Sequence, residues 1–187
     1  MKSQIRQPLY RGRFSFRFLV SCACVAVLGG CATPTTYEGM IPTAFRTAKK
    51  HPQTVGVSVN GGKETDSTGK PQISDATFTQ ALTESITKSQ TFSKVIQGSG
   101  ADYLLTVTLF GMEQPSFGLS FTVKLEAGWT LKRASNAQSV WQESIKSEFT
   151  ATTSDAFAAV TRLRLATEGA ARNNISAGLA RISELNL

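Results

Sequence analysis

Few side chains in this 187-residue chain stand where reaction chemistry is usually run. Its one histidine, His51, sits beside Pro52 in a stretch rich in Thr, Pro, Gly and Lys, so neither a His cluster for zinc nor a Ser-His-Asp or Cys-His arrangement can be assembled. Gly62-Lys63 and Gly69-Lys70 have the flavour of phosphate-cradling loops. Neither lysine is followed by Ser or Thr, however, and neither pair has a glycine five residues earlier, so both read as flexible turns. Asp66-Ser67-Thr68-Gly69 looks like half of a paired-aspartate site and has no second copy. Glu126, Glu143 and Glu148 lie on alternating stretches, where carboxylates read as surface charge. The thiols remain: Cys22, Cys24 and Cys31. Only Cys31 has patterned surroundings, following Leu28-Gly29-Gly30 at the end of an apolar run from Phe18, behind Lys2, Arg6, Arg11, Arg13 and Arg17 with no acidic residue.

A basic head followed by Phe18 to Leu28 fits a signal peptide, and the run falls short of the ~20 apolar residues that a membrane-spanning helix needs. Leu28-Gly29-Gly30-Cys31 resembles the lipobox of bacterial lipoproteins. That resemblance implies a diacylglyceryl group on the Cys31 sulfur, cleavage before Cys31 with Leu28, Gly29 and Gly30 as the flank, and acylation of the new amino terminus. One acyl chain holds a protein only marginally, at about 0.8 kcal/mol per buried methylene, whereas two or more anchor it stably. Ala32 stands where an inner-membrane retention aspartate would follow, so the resemblance implies the periplasmic face of the outer membrane.

Five of the 20 Lys and Arg residues and none of the 13 Asp and Glu precede Cys31, so the remaining 157 residues carry only +2. A nucleic-acid partner, which the whole chain's +7 would have favoured, loses its support. With Cys22 and Cys24 in the leader and Cys31 capped by lipid, neither disulfide nor thiol chemistry is left. The expected organisation is a leader over 1–30, a lipidated tether over 31–52 and one domain over 53–187. Met40, Ile41 and Phe45 are the only sizeable aliphatic or phenyl groups of the tether; either they dock on the domain or a short helix forms around Thr43 to Lys50. Arg46, Lys49 and Lys50 read as solvated linker charge.

Thr54 to Val59 reads as the first strand, followed by a polar loop to Gln72. Ser74 or Asp75 caps a helix with Phe78, Leu82 and Ile86 on one stripe, ending near Gln90. Phe92 to Ile96 is a short strand. Tyr103 to Phe110 is a longer one that buries Tyr103, Leu105, Val107 and Leu109. Gly111 to Gly118 reads as a loop. Phe121, Val123, Leu125, Ala127, Trp129 and Leu131 then alternate with polar or small residues, giving one buried face and one wet face. Val140 to Phe149 returns antiparallel, with Glu143 out of pattern and so at a bulge or an edge. Thr153 or Ser154 caps a last helix from Asp155, whose stripe runs through Phe157, Val160 and Leu163 to Ile175, Leu179 and Ile182. Gly169 and Gly178 each weaken it by roughly 1 kcal/mol unless they permit close packing. Arg162, Arg164, Arg172 and Arg181 read as its solvated side.

These elements give an α+β fold, a two-layer sandwich with a mostly antiparallel sheet of four to five strands and two helices on one face. The segments Phe78-x-x-Ala81-Leu82-x-x-Ser85-Ile86, Ala101-Asp102-Tyr103-Leu104-Leu105-Thr106-Val107, Trp129-x-Leu131 and Val140-Trp141 resemble the auxiliary lipoproteins of ABC-type intermembrane transport systems. Curli-secretion and penicillin-binding-protein-activator lipoproteins share the layout. The resemblance implies a non-enzymatic adaptor or auxiliary subunit of an envelope transport or assembly system, with an envelope protein as partner. The expected chemistry needs no metal and no cofactor beyond the covalent lipid on Cys31. The alternative is a periplasmic binder of lipid or another hydrophobic ligand, seated between helices and sheet. Met112 and Phe117, on the loop joining the two best-defined strands, are the candidate partner contacts.

Replacing Cys31 by Ser should leave uncleaved precursor and abolish incorporation of a palmitate analogue. Normal processing and labelling of that variant would refute the lipid anchor.

Overall fold

The computed structural model describes residues 33–67 and 69–187; the leader, its cleavage flank and Cys31 lie outside the described residues. Three helices and five strands follow in the order α1 (Tyr37–Met40), β1 (His51–Asn60), α2 (Asp75–Ser89), β2 (Phe92–Val95), β3 (Tyr103–Glu113), β4 (Phe121–Arg133), β5 (Ser139–Ala151) and α3 (Ala159–Glu184). The strands form one open sheet in the order β2-β1-β3-β4-β5. β1 runs parallel to both β2 and β3, because the chain between β1 and β2 crosses over as α2, whereas β3, β4 and β5 form an antiparallel meander. No helix among the described residues is long and apolar enough to cross a membrane.

Alternation along β4 decides which face is covered. Phe121, Val123, Leu125, Ala127, Trp129 and Leu131 are all buried beneath the helices, together with Tyr103, Leu105, Val107 and Leu109 of β3. α2 adds Phe78, Leu82 and Ile86, and α3 adds Ile175, Leu179 and Ile182. The Ser74 hydroxyl caps α2 by accepting from the Thr77 amide, and Gln90 ends it in the left-handed conformation at φ 55°. The two glycines of α3 are packing devices. A Cβ on Gly178 would lie 2.5 Å from Cη2 of Trp129, and one on Gly169 would overlap the ring of Phe149.

In four places the chain departs from the periodic reading. β3 continues to Glu113 through a bulge at Phe110, since Leu109 pairs with Ala127 and Gly111 with Glu126. The extra residue inverts the alternation, so Met112 pairs with Leu125 and rests half-buried on the core instead of standing in a loop. α3 starts at Ala159, not Asp155, because the Asp155 carboxylate accepts from the Thr152 amide at 2.7 Å and hydroxyl at 2.9 Å and so closes a separate turn. Phe157 therefore precedes the helix and is 96% exposed, where the stripe had placed it inside. Arg162 is not on a solvated face: it is buried, donates to the carbonyls of Ala156 at 3.0 Å and Phe157 at 2.5 Å, and lies over the Phe121 ring. His51 opens β1 instead of belonging to a tether, and its Nε2 is 2.9 Å from the Ile182 carbonyl.

The stretch before β1 is docked. The first of the two expectations for it holds: Met40 is fully buried and Ile41 and Phe45 pack against the core, while the helix forms at Tyr37–Met40 and not around Thr43. Its anchor is Glu168 of α3, 3% exposed, whose Oε1 accepts from the Thr36 amide at 2.8 Å, the Thr36 hydroxyl at 3.1 Å and Arg164 Nη1 at 3.0 Å. Arg172 donates to the Gly39 carbonyl at 3.0 Å, and the Ala48 amide to Ser183 Oγ at 2.9 Å.

Two substitutions test this packing. Gly178→Ala gains about 1 kcal/mol of helix propensity but forces a methyl into the fully buried Trp129, at a cost of about 1–3 kcal/mol, so thermal unfolding should show net destabilisation. Gly169→Ala should cost less, because Phe149 on the outer strand is only half-buried and has room to move. Glu168→Ala leaves the Thr36 amide without its acceptor and should cost about 1–3 kcal/mol. Hydrogen exchange should then quicken at Thr36 and Gly39 before it changes in β4. Unaltered exchange there would show that the segment is held by Met40 alone.

Candidate functional surfaces

The residues that could have done chemistry are dispersed. The Glu126 carboxylate lies 3.6 Å from Lys146 and accepts from Ser144, on the uncovered sheet face. Glu148 pairs in register with Lys124 on that same face, whereas Glu143 is on the helix side, 3.5 Å from Arg181. Lys70 is committed to the Gln114 carbonyl and Ser116 Oγ, both at 3.1 Å, and the Gly62 amide donates to Asp75 at 2.7 Å. Among the described residues no three His, Cys, Asp or Glu side chains gather to hold a metal. Two carboxyls are held below the usual range by donors, Asp102 by the Thr54 amide and hydroxyl and Asp155 by the Thr152 amide and hydroxyl. Both serve turns.

Of the two candidate contact residues, Met112 is in β3 against the core and Phe117 is 88% exposed in the shortened β3–β4 connection. Leu119 on the same connection is 81% exposed, and Phe157 after β5 is nearly free. Neither Leu119 nor Phe157 is singled out by pattern. Leu119 sits two residues before Phe121 and so extends the inward series, and Phe157 fits the helical stripe.

These three side chains share one end of the sheet. Phe121 pairs with Ala151, so the connections before β4 and after β5 lie side by side, and buried Arg162 joins them by stacking on Phe121 while holding the carbonyls of Ala156 and Phe157. The long loop after β1 reaches the same end. There Gln114 Nε2 donates to the Pro71 carbonyl at 2.7 Å and to Thr167 Oγ1 at 3.0 Å, and the Thr35 hydroxyl donates to the Gln72 carbonyl at 2.6 Å.

The uncovered sheet face carries a shallow groove of about 730 Å³ near the β3 bulge, lined by Phe110, Glu113, Lys124, Glu126, Lys146 and Glu148. The Phe110 ring lies across Gly128, where a Cβ would collide with it. The interface between helices and sheet is filled: Trp129, Phe78, Leu82 and Leu179 are each at most 1% exposed.

No protein-family model matches the chain. No curated protein matches it. Solved structures do resemble it. Protein XCC0632 of Xanthomonas campestris, described under the family model DUF330, superimposes with a TM-score of 0.62 at 11% identity, over 81% of this chain and 94% of that one. The hypothetical protein CT253 of Chlamydia trachomatis does so with a TM-score of 0.52 at 9% identity, over 70% of this chain and 98% of that one. A minor lipoprotein of Acinetobacter baumannii reaches a TM-score of 0.45 at 7% identity, over 72% of this chain and 92% of that one. At these identities the first two show a shared fold and nothing finer, and the third carries no weight of its own.

Proposed function

We propose that the chain is a bacterial lipoprotein, held by acyl chains on Cys31 at the periplasmic face of the outer membrane, that works without catalysis as an adaptor or auxiliary subunit of an envelope transport or assembly system. The anchor rests on the basic head, the short apolar run and Leu28-Gly29-Gly30-Cys31. No metal, cofactor or nucleic acid enters this reading; its partners are a membrane and an envelope protein.

The observation that carries the adaptor role is the outer edge of β5. Among the described residues no strand pairs with that edge, which is thirteen residues long and contains no proline. A strand edge of this length offers a row of backbone donors and acceptors, the feature that chains use to recruit one another by strand addition. The other edge strand, β2, has only four residues. The filled interface between helices and sheet argues against the hydrophobic-ligand alternative.

A photoreactive residue at Gln142 or Ser144 of β5 should capture a discrete envelope transport or assembly protein in living cells, identified by its mass. The same residue at exposed Thr87 of α2 should not. Equal yields from both elements would refute the β5 interface. Lipid co-purifying in equimolar amount with the processed chain would instead favour the ligand binder.

A further inference from the structure

Phe117, Leu119 and Phe157 are 88%, 81% and 96% exposed, and all three project from the end of the sheet at which the chain enters the domain. Loop apolar groups this exposed are ordinarily free to fold back on the core, yet here the backbone that carries them is pinned. Buried Arg162 holds the carbonyls of Ala156 and Phe157, and the Asp155 carboxylate closes the turn before them. On the other connection, Gln114 is fixed to Pro71 and Thr167, and Lys70 to Gln114 and Ser116. The three side chains are displayed by fixed loops.

Chain length says what they meet. Thr35 is buried at this end through its bond to the Gln72 carbonyl, and only four peptide steps separate it from Cys31. Fully extended, that span covers at most roughly 14 Å. The headgroup layer of a bilayer is about 5–8 Å deep on each side, so a lipid on Cys31 brings this end of the sheet to within about two such layers of the acyl boundary. The segment after Thr35 adds no slack, because Thr36 is bound to Glu168 and Met40 is fully buried.

We infer that the acylated domain lies end-on against its own membrane, with Phe117, Leu119 and Phe157 inserted into the lipid surface as an apolar tripod and the turn between β4 and β5 pointing away. This inference rests on the lipid anchor of the proposed function. The charges at this end are mixed, with Lys63 and Lys70 set against Glu64, Asp66 and Asp155, so apolar burial and not attraction to anionic headgroups drives the contact. Insertion is accordingly insensitive to salt. It also fixes which way β5 faces: its free edge runs up from the membrane, open to a partner approaching along the surface.

The test uses the processed, lipid-modified protein in phosphatidylethanolamine–phosphatidylglycerol vesicles. With Cys31 capped, a single cysteine at Phe117, Leu119 or Phe157 accepts a nitroxide, and Asn136 in the turn between β4 and β5 is the distal control. The three tripod labels should be several-fold more accessible to oxygen than to a water-soluble nickel chelate, relative to the label at Asn136, and raising the salt should not reverse this. The melting temperature of each variant should match wild type, as replacement of exposed groups requires. If the protein floats with the vesicles and the three labels are as aqueous as the one at Asn136, the end-on contact is overturned and a protein is left as the occupant of the patch. If the protein does not float, the anchor itself fails, and the inference falls with it.

Discussion

α3 can lie flat on the sheet only because Gly178 leaves space for the indole of Trp129, and the rest of the fold depends on that contact. A β-carbon there would sit 2.5 Å from the ring, inside any van der Waals distance. The close approach lets the Trp129 Nε1 donate to Asn174 Oδ1 at 2.9 Å, and Asn174 Nδ2 in turn donates to the Ile145 carbonyl at 2.9 Å and to Ser147 Oγ at 3.1 Å. A fully buried amide costs about 1–3 kcal/mol wherever it goes unpaired. Asn174 pairs on both sides, so one side chain locks the helix to β4 and to β5 at once and fixes rotation as well as depth.

With α3 set by that lock, its other polar groups become attachment points. Arg162 and Thr167, from the first half of the helix, gather the connections at one end of the sheet, and Glu168 receives the segment before β1. At its far end, the Ile182 carbonyl meets His51 and Ser183 meets Ala48. The chain before β1 therefore lies along the helix as part of the domain. On the proposed lipid anchor, only the four peptide steps before Thr35 would separate the attachment point from the docked chain.

Charge in this protein serves structure. Arg162 and Arg172 stack on Phe121 and Phe149 with their guanidinium groups turned to backbone carbonyls, and Arg164 closes onto Glu168. The guanidinium fork suits that work, since it donates to several carbonyls while its flat face covers an aromatic ring. A run of arginines on a last helix reads, in sequence, as a wet face. Here the missing information was the length of the neighbouring segments that fold back to meet those arginines.

The inward face of β4, the stripe and cap of α2, the one-sided sandwich and the pattern around Cys31 could all be read along the chain, because period, capping chemistry and a basic head with a short apolar run are local properties. Glu143, which breaks the inward series, pointed in sequence to a bulge or an edge, and the strand order makes it the edge, with Glu143 beside Arg181. Other features depend on contacts that form only in the folded chain. One extra residue at Phe110 inverts the parity of β3 and turns Met112 inward, which no alternation count can anticipate without knowing the partner register. Asp155, which reads in sequence as the first residue of the last helix, instead closes its own turn on Thr152, so Phe157 is delivered to solvent. The stretch from Thr35 to Lys50 has no period because its contacts are long-range, with Gln72, with Gln90 and, more than 130 residues away, with α3, and distance along the chain hides such contacts until the fold brings them together.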